Sequence, residues 1–220
     1  MIQVVSSPRR LEGVAYLSGD KSISHRALLL NSIARGTAHV SNFCEGDDGI
    51  SMLRCLRSLG ARIRRHASCT VTQAEECFEI RGRGPDGLRE PTTVLDAGNS
   101  GTSMRLLSGL LAGQSFTSVL TGDDSLRSRP MGRIIDPLLQ MGATVIACAG
   151  GPEKLAIAGD HGADHLVDYQ GEDIREQAKA LTGGRGVGKP FLRSFLLNAF
   201  FVSSLSSPSI TQLPSIAGSA

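Results

Sequence analysis

The 220-residue chain is 40% apolar and 20% charged, ordinary values for a folded soluble domain that exclude a disordered or fibrous protein. A net charge of +2, aromatics at 4% and no tryptophan argue against a nucleic-acid partner, which needs a strongly basic balance or stacking platforms. The five cysteines (Cys44, Cys55, Cys69, Cys77 and Cys148) form no C-x-x-C pair, so neither zinc nor a disulfide framework is expected and they read as reduced cytosolic thiols.

Taken in order, residues 2–5 and 13–17 read as two short strands around a Ser-Ser-Pro-Arg-Arg turn. No long apolar core of a signal peptide follows, and no stretch reaches the ~18 apolar residues of a membrane span, so a soluble, cytoplasmic protein is expected. After Ser18-Gly19-Asp20, the apolar spacing of Ile23, Ala27, Leu28, Leu30, Ile33 and Ala34 predicts a helix over 21–35, stopped by Gly36. Lys21, Ser22, Ser24 and Arg26 crowd its first turns. Unpaired N–H groups and the positive end of the macrodipole make such a helix start an anion site; the alternative is that Ser22 or Ser24 caps the helix while Lys21 and Arg26 are solvated. Strand 38–43, helix 48–59 and strand 61–65 complete a first unit. Segments 68–72 and 77–81 read as a hairpin and 82–87 as a loop.

A strand at 94–95 enters the turn Asp96-Ala97-Gly98-Asn99-Ser100-Gly101-Thr102, which opens a helix over 101–112. Strand 115–121, helix 130–141 and strand 143–148 follow, with Pro130 suited to a first helical turn. Arg127, Arg129 and Arg133 gather at that helix start. Asp123 and Asp124 read as turn or cap residues, with too few oxygen neighbours for a hard cation, so no metal is expected. Residues 191–200 read as a further helix opened by Arg193, with a strand at 209–213. Arg26, Arg105 and Arg193 thus open three apolar runs, and Gly60-Ala61 matches Gly142-Ala143 at the ends of two amphipathic helices. The pattern is a helix–strand–helix–strand unit used about three times.

The run Lys21-Ser22-Ile23-Ser24-His25-Arg26, the turn from Ala97 to Thr102 with Met104-Arg105, and the stretch from Leu120 to Met131 closely resemble the 5-enolpyruvylshikimate-3-phosphate (EPSP) synthase family. The resemblance covers residues 1–158 and returns weakly from Phe191. It implies an α/β fold, an inside-out α/β barrel of βαβαββ repeats, of which this chain would hold about three, one globular half. The domains would be 1–158 (repeats one and two), 159–190 (an atypical connector) and 191–220 (a partial third repeat). The implied reaction is carboxyvinyl transfer from phosphoenolpyruvate to shikimate 3-phosphate in aromatic amino acid biosynthesis, with no cofactor and with glyphosate as a phosphoenolpyruvate analogue. By resemblance, Lys21 is catalytic, Lys21, Ser22 and Arg26 hold shikimate 3-phosphate, and Lys21, Asn99, Gly101 and Arg129 face phosphoenolpyruvate. The alternative is a non-catalytic phosphate-ligand binding domain.

Residues 162–187 depart from that family and look like a segment of medium-chain dehydrogenases. Lys189, Pro190 and Phe191 stand where the family carries a Ser-Gln turn that grips the shikimate phosphate. The glycines of 183–188 lack the strand and G-x-G-x-x-G of a dinucleotide site, so a flexible connector is expected rather than an oxidoreductase module. Since the family's acid–base groups come largely from a second domain, activity is expected only in a homodimer or with a complementing C-terminal half.

Overall fold

The structure, a computed structural model, describes residues 10, 12–149, 151–160, 163–168, 174–181 and 194–197. The strands expected at 2–5 and 209–213, residues 189–191 and Arg193 lie outside these. Residues 13–17 form no strand and join no ladder among the described residues, and Val14, Tyr16 and Leu17 are exposed.

Helix α1 (Lys21–Ile33) is capped by Asp20, whose carboxylate accepts from the Ile23 N–H at 2.7 Å. It stops short of Gly36, which instead lies within strand β1 (Arg35–Ser41). Helix α2 (Asp47–Ser58) follows, then strands β2 (Arg62–His66) and β3 (Cys77–Arg83). These make a three-stranded antiparallel sheet in the order β1-β3-β2. The expected hairpin between 68–72 and 77–81 is therefore corrected. Residues 77–83 pair with 62–66 and 35–41, while Cys69 makes one isolated bridge to Ala74 and a disulfide to Cys77. The disulfide also corrects the expectation of five reduced thiols. Alternation along β3 turns Phe78, Ile80 and Gly82 toward the helices. Phe78 and Ile80 join the core with Leu28, Met52 and Leu56. Gly82 has no room for a side chain, since a Cβ there would lie 2.2 Å from the Ala34 carbonyl oxygen and 2.4 Å from that of Asn31.

Strand β4 (Leu95–Asp96), helix α3 (Gly101–Ala112), strand β5 (Val119–Thr121), helices α4 (Asp124–Arg127) and α5 (Gly132–Gln140) and strand β6 (Thr144–Ala149) form the next stretch. The span of α3 matches the expectation from sequence. Strand β5 is only three residues long because its neighbour β4 offers two, and α4 was not foreseen. Pro130 precedes the N-cap Met131, so it stands outside α5 rather than in its first turn.

Helix α6 (Pro152–Asp160), strand β7 (His165–Asp168), helix α7 (Ile174–Leu181) and strand β8 (Ser194–Leu197) end the described chain. The second sheet is parallel, in the order β4-β5-β8-β6-β7. Residues 194–197 are thus a strand where a helix was expected, a familiar ambiguity of short apolar runs. Within the stretch read as a flexible connector, β7 forms one edge of this sheet.

The repeat is visible in the helix ends. Gly60 and Gly142 have φ of +82° and +84°. In both, the glycine N–H donates three residues back, Gly60 to Arg57 and Gly142 to Leu139, and the alanine N–H five back, Ala61 to Leu56 and Ala143 to Leu138. This double closure of the last carbonyls requires the left-handed conformation that glycine adopts freely. The two units diverge immediately afterwards: β2 pairs antiparallel with β3, whereas β6 pairs parallel with β7 and β8. Leu28, Met52, Leu56, Leu59, Leu107, Leu111 and Leu120 are fully buried between the two sheets' helices, each stabilising the fold by about 1.5–3 kcal/mol.

Candidate functional site

Three helix starts meet at one place. Asp48, in the first turn of α2, pairs through its carboxylate with Lys21 Nζ at the first residue of α1. Its backbone carbonyl accepts from Ser103 Oγ, 3.1 Å away, in the first turn of α3. Ser103 is fully buried and also holds Ser100 Oγ, the α3 cap, at 2.8 Å. The α1 start is further fixed by Ser24, whose Oγ accepts from the Cys44 N–H at 3.0 Å, and by His25, 1% exposed, whose Nδ1 donates to the Lys21 carbonyl at 2.7 Å.

Ser100 Oγ satisfies the Ser103 N–H, which leaves the Gly101 and Thr102 N–H groups of α3 without an acceptor among the described residues. Two guanidinium groups flank that start. Arg105 Nη1 donates to the Gly101 carbonyl at 3.1 Å, and Arg129 reaches the Asn99 side-chain oxygen and, at 3.4 Å, Ser125 Oγ. A Cβ on Gly101 would come 2.5 Å from Arg105 Nη1 and 3.2 Å from Arg129 Nη1, so the missing side chain is what lets both cations close over the turn. Asn99 in turn donates to Asp123 Oδ2 at 2.7 Å, while Asp123 Oδ1 caps α4 by accepting from the Leu126 N–H at 2.7 Å. These bonds, the Asn99 amide first and the Leu126 N–H next, with Arg129 adding attraction, hold the Asp123 carboxyl below its ordinary range. Gly98, at φ +58°, lets the chain turn so that its carbonyl accepts from the Asp123 N–H at 2.9 Å.

The structure therefore brings together Lys21, Asn99, Gly101, Arg105 and Arg129 with Asp48 and Asp123. Ser22 and Arg26 are exposed on α1 and contact no other element through hydrogen bonds or ion pairs among the described residues. Asp20, rather than Ser22 or Ser24, caps α1. The roles of Asp48 and Ser103 were not read from sequence; the Gly-Asp-Asp shared by residues 46–48 and 122–124 was the available signal, since an Asp of each pair ends as a partner of a site residue. Arg127 pairs with Asp124 rather than facing the α3 start.

Chemically, unpaired N–H groups with two guanidiniums and an ammonium suit a multiply charged oxyanion. The nearby carboxylates are committed, Asp48 to Lys21 and Asp123 to Asn99 and the α4 cap. Burial, with the charge of Asp96 adding, pushes the Cys55 thiol up to about 12, which leaves it inert behind the site. Among the described residues no cluster of His, Cys, Asp and Glu is arranged to hold a metal ion, and no helix is long and apolar enough to cross a membrane.

The family model for EPSP synthase (3-phosphoshikimate 1-carboxyvinyltransferase) matches residues 5–179. A 3-phosphoshikimate 1-carboxyvinyltransferase of Chloroflexus aggregans is 52% identical over 157 residues, 70% of this chain and 34% of that protein. One of Desulforudis audaxviator is 51% identical over 142 residues, 64% of this chain and 32% of that protein. A solved EPSP synthase from Acinetobacter baumannii superposes with a TM-score of 0.53 at 46% identity, over 59% of this chain and 28% of that one. The chain spans about a third of the length of the curated relatives it matches.

Proposed function

This chain belongs to the EPSP synthase family, and from that premise we propose that it supplies the substrate-anion side of a carboxyvinyl transfer site. Phosphoenolpyruvate lies against Lys21, Asn99, Gly101 and Arg129, and shikimate 3-phosphate against Lys21, Ser22 and Arg26. The observation that carries this reading is the convergence of the α1, α2 and α3 starts through Asp48, with Arg105 and Arg129 folded over Gly101.

Both substrates are polyanions, so a cleft that holds them together needs cations and helix starts in excess of its own acids. In the transfer, the shikimate hydroxyl gives up its proton as its oxygen bonds to the enol carbon and a proton adds to the methylene; phosphate then leaves as the methyl group gives up a proton. Lys21 acts as the cation at the centre of that exchange. Before it can do so, the incoming phosphate displaces Asp48 from Lys21 Nζ, and the freed carboxylate stays at the start of α2, where the macrodipole favours it.

The same premise gives the architecture proposed for the family part: an inside-out barrel of βαβαββ units, with 1–158 holding two of them, 159–190 a connector and 191–220 a partial third. The matching double closure at Gly60 and Gly142 supports two units. The site works in the cytoplasm, in a homodimer or with a complementing C-terminal half, because a cleft closed on one side leaves its cations screened by water.

The decisive experiment is thermal unfolding with shikimate 3-phosphate, followed by a coupled phosphate-release assay with both substrates, with and without a supplied C-terminal half. Ligand at about a hundred times its dissociation constant adds about 2.7 kcal/mol. Stabilisation with turnover only in the supplemented sample supports the transferase reading; stabilisation with no turnover in either supports a non-catalytic phosphate-ligand domain. No shift at millimolar ligand overturns both.

A further inference from the structure

The three-stranded sheet has a second face, turned away from α1 and α2. On it the register sets Arg35 directly opposite Arg83, and Arg62 directly opposite Arg81, with Arg64 next along β2. All five arginines are exposed. Like charges placed directly opposite on one face of an antiparallel pair destabilise the sheet, and here it happens twice. The acid on that face, Glu79, is already shared: Arg81 Nε donates to it at 2.7 Å, and His39 Nε2 and His66 Nε2 lie 3.8 and 3.7 Å from it. Arg35, Arg62, Arg64 and Arg83 have no ion-pair partner among the described residues.

The arginines do not form a patch so much as a line. Stepping across strands about 4.8 Å apart and along them about 6.8 Å per residue pair, Arg35, Arg83, Arg81, Arg62 and Arg64 run diagonally from one edge of the sheet to the other. We propose that this track is a docking surface for a linear inorganic polyphosphate chain. Every cation on it is arginine, whose planar fork meets phosphate oxygens in pairs and gives up its hydration more readily than an ammonium. The ligand must carry charge on each repeat, because the track offers charge and little else. The face has no Phe, Tyr or Trp, and its two imidazoles, His39 and His66, lie beside Glu79 rather than along the arginine line, so a single-stranded nucleic acid would find no broad platform on which to stack its bases. An acidic peptide that adds to a sheet gains its affinity from the ladder at an edge, and this line crosses the middle. The track lies on the opposite side of the sheet from the Lys21 site, so the two ligands do not compete.

The test is fluorescence anisotropy of the full chain with labelled medium-length polyphosphate. With five contacts, and the slope of about −0.7 per contact found for single strands, affinity falls roughly a hundredfold between about 50 and 200 mM salt. The triple variant R62Q/R64Q/R83Q, with folding checked by circular dichroism, binds at least about tenfold more weakly, and its salt dependence over that range shrinks to roughly sevenfold. Arg54→Gln, an exposed arginine on α2 away from the track, binds like the parent. The variant R62K/R64K/R83K keeps the charge and falls between. Absence of binding at low salt, a triple variant that binds like the parent, or equal or tighter binding of single-stranded RNA or poly-glutamate each overturns the proposal.

Discussion

Replacing Gly101 by alanine probes the cation pair without touching a cation. Its new methyl would sit 2.5 Å from Arg105 Nη1, where ordinary contact begins near 3.4 Å, so the guanidinium must retreat by about 0.9 Å and release the Gly101 carbonyl. Both crowded atoms are ends of flexible side chains, and alanine is the better helix residue by about 0.5–1 kcal/mol, so fold stability should change by less than about 1 kcal/mol. Binding should suffer more. One charged hydrogen bond to phosphate is worth about 1.5–3 kcal/mol, so its loss weakens phosphate or phosphoenolpyruvate roughly ten- to hundredfold. Isothermal titration of both anions, paired with urea unfolding, measures the two effects separately. Gly109→Ala serves as the control, since a Cβ there meets nothing within 4 Å: it should stabilise α3 slightly and leave binding alone. A Gly101→Ala protein that binds phosphate as tightly as the parent would refute the cradle, and one destabilised by more than about 2 kcal/mol would refute the geometry of the α3 start.

Lys21→Ala should lose the phosphate-induced rise in Tm while unfolding within about 1 kcal/mol of the parent, because the Lys21–Asp48 pair is half exposed; an unchanged rise counts against Lys21 as a ligand. Asp123 has a folded pKa held below its ordinary 3.8, so its contribution is present above that value and lost as pH falls through the lower folded value. The urea midpoints of the parent and Asp123→Asn should therefore differ at neutral pH and converge below 3.8, and a constant gap would contradict the cap. Reduction of Cys69–Cys77, which are separated by 8 residues, should cost about 2.5 kcal/mol of stability, read as a lower Tm with reductant. Iodoacetamide at mild pH should label Cys44 in the native protein but spare Cys55 and Cys148, both buried and both pushed up to about 12; labelling of either buried thiol without unfolding would contradict the packing.

What could be read from the chain alone follows how local each signal is. Helix α3 was legible to the residue because its signals are local: the apolar spacing lies within it, and Ser100 and Gly113 flank its two ends. The α2 and α5 ends were legible through Gly60 and Gly142, which close their own helices. Strand partners were not, because a ladder joins residues far apart in the chain. Residues 77–83 look equally ready to pair with 68–72 as with 62–66, and the choice is made by Phe78 and Ile80 packing on α1 and α2. Cys69 and Cys77 match no metal or redox spacing, so their pairing is visible only once the turn between them is folded. At the site, Lys21, Asn99, Gly101 and Arg129 were marked by motif, whereas Asp48 and Ser103 act through a backbone carbonyl and an ion pair that no spacing records. The sheet arginines were hidden differently: they are plain in the sequence, but a net charge of +2 averages them away.

The strand order of the second sheet has a consequence for how the chain emerges from the ribosome. Strand β8, residues 194–197, lies between β5 and β6, so neither of those strands can complete its pairing until that segment is made. At about 5–20 residues per second, the wait after Thr121 is roughly 4–15 s, during which short apolar strand edges stand open. The first sheet waits less: its central strand β3 is also the last made, but all three strands fall between Arg35 and Arg83, so the sheet is complete long before residues 194–197 are synthesised. Nascent chains halted after residue 150 should carry a protease-resistant antiparallel sheet beside a still-labile α3–α5 region, and that labile window is where a trigger-type chaperone would find its hold.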